Sequence, residues 1–225
     1  MYGDVALVSA PGDNSDTGSV YLLSYSDTKW VQQHHLFASD GVSSDFFGSA
    51  VALSADGSTV LVGAPKNFVH SIGFVYFFTK TGSNWSFVNK FTAASLSNDF
   101  FGKVVALSAN GHLAMIGQDF VSYMFTRSDS TWVQTVAIYP SLGFSFGSAV
   151  ALSATGNTAL VGAYAEGTGG EVSIFISSDF SLPSPVYTSI TFSSSDVAVN
   201  DSFGNSVALS GDGKTALVGA PGKAS

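Results

Sequence analysis

A few residues in this sequence carry chemistry by type and spacing. Gly143–Gly147 reads GFSFG, which has the G-x-S-x-G spacing of a nucleophile elbow and would make Ser145 the nucleophile. That motif works only at a strand-to-helix turn. Here Ser145 stands where sister segments have Phe46, Phe100 and Ser202, so the match reads as coincidence. Asp13, Asn14 and Asp16 lie in the polar stretch GDNSDTG and have the oxygen donors to hold one calcium ion. The competing reading makes them Asx-turn formers. Asp45, Asp99 and Asp201 each stand two residues before a Phe-Gly pair. They read either as a ring of ligands on one rim or as caps bonding their own turns. Phe144 at the fourth such position would break a ring.

His34 and His35 are adjacent, so on a strand they face opposite sides and do not share a metal. His70 and His112 are isolated. Asn84-Trp85-Ser86 and Asn200-Asp201-Ser202 fit the N-glycosylation sequon, which matters only in a eukaryotic secretory protein. No carboxylate pair at fixed spacing and no phosphate-binding loop is present, so no catalytic constellation is expected.

What positions these residues is a repeat. The phrases YGDVALVSAP, DGSTVLVGAP, NGHLAMIGQD, TGNTALVGAY and DGKTALVGAP follow one pattern, with glycines at Gly3, Gly57, Gly111, Gly156 and Gly213. Before four of them stand DFFGSAVALSA, DFFGKVVALSA, FSFGSAVALSA and DSFGNSVALSG. After three of them comes a phrase ending in Trp30, Trp85 or Trp132; the fourth copy ends in Phe180. A period of about 40–57 residues made of short strands points to propeller blades. Each unit reads as four strands, the first two joined by a hairpin turn through Asp-Gly, Asn-Gly or Thr-Gly. Strand one, rich in Ala, Val and Ser, is expected to be the inner strand buried on both faces.

The paired phrases resemble the FG-GAP repeat, the blade unit of integrin-alpha-type β-propellers. The matching residues are Phe47-Gly48, Phe101-Gly102, Phe146-Gly147 and Phe203-Gly204, with Gly63-Ala64-Pro65 and Gly219-Ala220-Pro221. Variants are Ser9-Ala10-Pro11, Gly117-Gln118-Asp119 and Gly162-Ala163-Tyr164. The resemblance covers essentially the whole chain and implies an all-β propeller with a surface or adhesion role. Calcium-binding members carry an Asp/Asn-rich loop between the two phrases. Here SADGST, SANGHL, SATGNT and SGDGKT hold too few carboxylates for a cage of six to eight oxygens, so calcium is not carried over to those turns.

The expected layout is one propeller domain or segment over 1–225, with a partial blade at 1–44, whole blades at 45–98, 99–143 and 144–200, and a partial blade at 201–225. The first partial blade holds strands two to four, the last holds strands one and two. Either the chain is a segment of a longer array, or the partial blades pair with another chain. The loops joining strands two and three differ most between copies, so the binding face is expected there.

Composition narrows the partners. The formal net charge is −8, which repels phosphate backbones and anionic membranes, so neither nucleic acid nor membrane insertion is expected. Cysteine is absent, and hydrophobic residues make up 45% against 11% charged. The start reads directly into a strand and not as a signal peptide, so either the protein is cytoplasmic or its leader lies outside this chain; the composition fits the second, and an extracellular or cell-surface protein is expected. The leading expectation is a non-catalytic module that recognises protein or glycan partners, with no cofactor apart from calcium in the one polar loop. The alternative is a structural subunit that joins its own copies into a filament or coat through the part-blades. A propeller-based hydrolase or lyase ranks third.

Overall fold

The computed structural model describes residues 4–66, 72–94, 100–139, 145–164, 169–182 and 185–222. Apart from one four-residue turn at Asp13–Asp16, the regular elements are strands. The chain divides into two compact units, Met1–Val105 and Ala106–Ser225. In the first unit, β1 (Val5–Ala10), β2 (Ser19–Ser26) and β3 (Lys29–Leu36) form a three-stranded antiparallel sheet. They are followed by the four-stranded sheet β4 (Ala50–Leu53), β5 (Thr59–Ala64), β6 (Phe74–Thr81) and β7 (Asn84–Phe91). The unit boundary falls within β8 (Val104–Leu107), which pairs with β9 (Leu113–Gln118) in the sheet completed by β10 (Val121–Ser128) and β11 (Thr131–Ile138). The second unit goes on with the sheet β12 (Phe146–Leu152), β13 (Thr158–Ala163), β14 (Glu171–Ser177) and β15 (Tyr187–Phe192). It closes with the pair β16 (Ser206–Leu209) and β17 (Ala216–Gly219). No helix of the described residues is long and apolar enough to cross a membrane.

The Phe-Gly pair builds both packing and backbone. Phe47 is fully buried and meets Tyr76 and Phe78 edge-on, with ring centroids 5.2 and 6.1 Å apart. Around it lie Val20, Leu22, Leu36, Val60 and Val62. In the second unit Phe146 holds the same place among Met115, Met124, Val161 and Phe175. The glycine after each Phe is forced by a tight turn. Ser49 N–H bonds the carbonyl of Phe46 at 3.0 Å, and Gly48 between them has φ 94°, a conformation that type II turns reserve for glycine. The second glycine of the repeat has a different reason. A Cβ placed on Gly63 would lie 1.9 Å from the carbonyl oxygen of Gly102, and one on Gly162 would lie 2.0 Å from that of Gly204. The two phrases recur together because the turn of one repeat sits directly on the backbone of the repeat before it.

Each hairpin between strands one and two is closed by its own side chains. Ser54 Oγ donates to Asp56 Oδ1 and accepts from Thr59 N–H at 3.0 Å, while Asp56 also accepts Ser58 N–H at 3.0 Å and Ser58 Oγ at 2.7 Å. Ser108 with Asn110, and Ser210 with Asp212, repeat this clasp. In the fourth copy Asn157, after the glycine, supplies the acceptor. These oxygens therefore already have partners within the hairpin. Hydrogen bonds from Ser54 and Ser58 hold the Asp56 carboxyl below its ordinary value of 3.8.

The buried strand is not the expected one. β5, β9 and β13, the second strands, are buried at every position, while β4 and β8 are only half-buried. Strand two has a partner on both edges, whereas strand one forms the sheet edge. A run of small apolar residues does not reveal which of those places it takes.

Gly63→Ala is expected to destabilise the protein by roughly 3 kcal/mol or more, because the methyl meets backbone that cannot move aside. Gly12→Ala, where φ is −84° and the nearest atom would be 3.6 Å away, should stay within about 0.5 kcal/mol. Urea unfolding midpoints check the pair, and equal midpoints would remove the proposed lock. At the clasp, Asp56→Ala should cost about 1 kcal/mol at neutral pH. An acid whose folded pKa is depressed stabilises fully above its unfolded value, and that share is lost as the pH falls through the folded value. Asp56→Asn should keep the clasp, as Asn110 does, and show a smaller stability loss than the parent between neutral pH and about pH 3.

Candidate functional site

The loops that join strands two and three, and those that lead into each Phe-Gly turn, lie at one end of the sheets. Of the first kind, Gly12–Gly18 is fully described, whereas residues 67–71 and 165–168 lie outside the described residues. His70, Asp99 and Phe144 also fall outside them. Within the described loop, Asn14, Ser15 and Asp16 take left-handed φ values of 49°, 59° and 64°. The loop is stitched to the next Phe-Gly turn. Phe46 N–H bonds Asp16 C=O at 2.9 Å, Phe47 N–H bonds Thr17 C=O at 3.0 Å, and Ser43 Oγ donates to Ser15 C=O at 2.8 Å.

Asp13 anchors a small polar network there. Its Oδ1 accepts Asn14 N–H at 2.9 Å, and its Oδ2 accepts Ser19 Oγ at 2.7 Å and Tyr21 OH at 3.3 Å. Those bonds, led by Ser19, hold its carboxyl below the ordinary value. His35 Nε2 lies 2.9 Å from Ser19 Oγ, and the His35 ring stacks on Tyr21 at 4.7 Å. A hydroxyl has one proton, and Ser19 gives it to Asp13. His35 Nε2–H must then be the donor to Ser19, which assigns the tautomer from the network. A catalytic triad runs in the opposite sense, with serine giving its proton to the imidazole.

The next sheet carries a related cluster. Asp40, between β3 and β4, accepts Tyr76 OH at 3.0 Å and pairs with Lys90 Nζ. Lys90 Nζ stands 4.2 Å from the Phe74 ring centroid and 5.4 Å from that of Tyr76. Lys90 holds the Asp40 carboxyl low, while burial and the nearby Asp40 push the Tyr76 hydroxyl up. Asp45 is buried, accepts Val42 N–H at 3.0 Å and pairs with Lys66 at 3.1 Å. The Asp40–Lys90 pair is half-exposed and contributes little to stability. Strand registry shows the correspondence. Tyr21 faces His35, Tyr76 faces Lys90, Tyr123 faces Ala137 and Ser173 faces Thr191. One cross-strand position thus carries different chemistry on each of four sheets.

The remaining candidates fall elsewhere. Asp201 caps its own turn by accepting Ala198 N–H at 2.7 Å, as Asp45 does with Val42. Ser145 accepts Ser148 N–H at its carbonyl and leads into strand β12, not a helix. His112 uses its main chain in a hairpin clasp. Asn84 opens β7 and is exposed; Asn200 is exposed with φ 70°. Among the described residues no group of three or more His, Cys, Asp or Glu side chains converges as a metal site. Asp13, Asn14 and Asp16 supply two carboxylates and one amide, and the Asp13 carboxylate already accepts from Asn14, Ser19 and Tyr21. The Asp40–Tyr76–Lys90 cluster was missed in the sequence, although the Tyr of the third repeated phrase and its cross-strand partner could have been aligned.

Residues 30–78 and 190–225 match the family model described as FG-GAP repeat. No curated protein matches the chain. Among solved structures, a functionally unknown protein from Desulfotomaculum acetoxidans DSM 771 aligns at TM-score 0.64 and 15% identity, covering 96% of this chain and 61% of that one. The periplasmic gluconolactonase PpgL of Pseudomonas aeruginosa aligns at 0.61 and 13%, with 96% and 61% covered. The Cps50 (Swd1) β-propeller domain of Myceliophteria thermophila aligns at 0.59 and 11%, with 85% and 57% covered. The chain thus spans about three-fifths of the length of these structures, and at such identities the likeness concerns the fold alone. Four-stranded antiparallel sheets and this likeness describe an all-β, propeller-like fold, and the chain carries FG-GAP repeats at 30–78 and 190–225.

Proposed function

We propose that the chain is a non-catalytic recognition module of an extracellular or cell-surface protein, binding a protein or glycan partner at the rim that bears Asp13, His35, Asp40 and Lys90. The observation that carries this reading is one cross-strand position whose outer member changes from His35 to Lys90, Ala137 and Thr191 on otherwise repeated sheets, while its partners Tyr76, Tyr123 and Ser173 are buried. Fixed frames with varied rim chemistry are the usual form of binding surfaces. The direction of the Ser19 proton supports a non-catalytic role. FG-GAP repeats are typical of extracellular proteins, which supports the location. Two measurements test the reading. On an array of extracellular-matrix proteins and glycans, the protein should bind at least one probe, and the Asp40→Ala/Lys90→Ala double variant should lose it. With glucono-1,5-lactone as substrate, no turnover above buffer is expected. Binding indifferent to the double variant, or turnover that His35→Ala removes, overturns the reading.

A second reading, assembly of copies through their part-sheets, draws on β17. This strand pairs on one edge only, and Leu217 on it is 73% exposed. Sedimentation over a wide concentration range should then show assembly that Leu217→Lys abolishes, since a charge on an exposed edge blocks pairing. A monomer throughout rejects this second reading.

A further inference from the structure

At the other end of the first unit's sheets lies a cleft of about 320 Å³ that the loop rim does not include. The three-stranded sheet contributes Gln33 and His34, and the neighbouring sheet contributes Lys80, Asn84 and Trp85. A β-bulge aims the first pair. Leu22 faces His34 and Leu23 faces Gln32, so Gln33 has no partner in the ladder. A bulge resets the alternation of side chains, which lets two adjacent residues reach the same cleft. His35 meanwhile points away, to Tyr21 and Ser19. Trp85 faces Lys80 across the β6–β7 hairpin and packs partly against the core cluster.

The lining has a definite chemical character. Trp85 offers an aromatic face at the cleft wall. Gln33 and Asn84 offer amides, His34 an imidazole and Lys80 an ammonium, and these side chains make no hydrogen bond or ion pair within the described residues. Among the described residues no Asp or Glu lines the cleft, in a protein with 16 acidic and 8 basic residues. Among the described residues Lys80 is the one charged group at the cleft, whereas Lys66 and Lys90 are engaged in ion pairs with Asp45 and Asp40. The volume stands at the lower end of small-molecule sites. It suits one or two sugar rings better than a protein loop.

The geometry points to a binding site for an acidic saccharide, a hexuronate unit seated between Gln33 and Trp85. The C–H face of a pyranose ring carries partial positive charge, which matches the negative face of the indole. Amides both donate and accept, as sugar hydroxyls require, and Lys80 supplies the counter-charge for the carboxylate. The same Asn84 begins the sequon Asn84-Trp85-Ser86, so a glycan attached there would stand at the mouth of this cleft.

The test uses the whole chain produced unglycosylated in a bacterial host, titrated calorimetrically with a galacturonic acid tetrasaccharide and with an uncharged glucan tetrasaccharide. The uronate should bind, and added salt should weaken it. Lys80→Ala should weaken the uronate by ~10-fold, and Gln33→Ala should weaken it comparably. Both residues are exposed, so their loss leaves the fold intact. The Asp40→Ala/Lys90→Ala variant should bind it as the parent does, which separates this site from the loop rim. Absence of uronate binding, equal binding of the neutral glucan, or binding unmoved by Lys80→Ala and Gln33→Ala overturns the proposal.

Discussion

Everything else in this protein depends on two stretches of backbone that approach without a side chain between them. The Gly102 carbonyl rests on Gly63, and the Gly204 carbonyl rests on Gly162. The contact leaves no room for even a methyl group. It draws a Phe-Gly turn onto the preceding repeat and thereby drops the Phe ring into the space between adjacent sheets. Phe47 and Phe146 follow contacts of the same kind through their own turn glycines, since a Cβ on Gly48 would lie 2.8 Å from the Ser19 carbonyl oxygen and one on Gly147 2.6 Å from that of Gln118, and these two rings are the hubs around which the two apolar clusters gather. Close backbone approach and aromatic burial are thus one event, which explains why the sequence repeats both phrases together. The first copy is looser, since Ser9 stands at the position of the second glycine.

With the frame fixed this way, most polar chemistry is committed to it. The hairpin carboxylates and amides close their own turns, and Asp45 and Asp201 cap theirs. In the first unit, what is left for a partner gathers at the two ends of the sheets. One end has the Asp13 and Asp40 networks, each already bonded to its own neighbours and tuned by them. The other has the cleft at Trp85, where the side chains of Gln33, His34, Lys80 and Asn84 make no hydrogen bond or ion pair among the described residues. A pre-bonded rim holds its shape, while an unpaired lining keeps its bonding capacity for a ligand.

Much of this frame was legible in the sequence, because the relevant signals are local. A Gly after Asp or Asn marks a hairpin, a Phe-Gly pair marks a turn, and adjacent His34 and His35 must part on a strand. Those rules act over a few residues and need no knowledge of packing. The capping role of Asp45 and Asp201 followed from the same kind of reasoning. Two features were out of reach. Which strand is buried on both faces depends on its neighbours in the sheet, and both strands one and two are small and apolar. The cleft joins Gln33 and His34 to Asn84 and Trp85, residues brought together only when two sheets pack. Its aim depends on a bulge that no residue type announces.

That bulge is not confined to one sheet. The ladder slips at the matching place in β3, β7 and β11, leaving Gln33, Val88 and Thr135 unpaired. Leaving the ladder does not mean leaving the packing, for the Thr135 hydroxyl bonds the Met124 and Phe180 carbonyls at 3.3 and 3.1 Å. Amide, isopropyl and hydroxyl side chains occupy the unpaired position in turn, while the glycine contacts and buried Phe hubs stay in place. The fold thus repeats, in three successive sheets, a position whose side-chain direction is set by the bulge and not by a cross-strand partner.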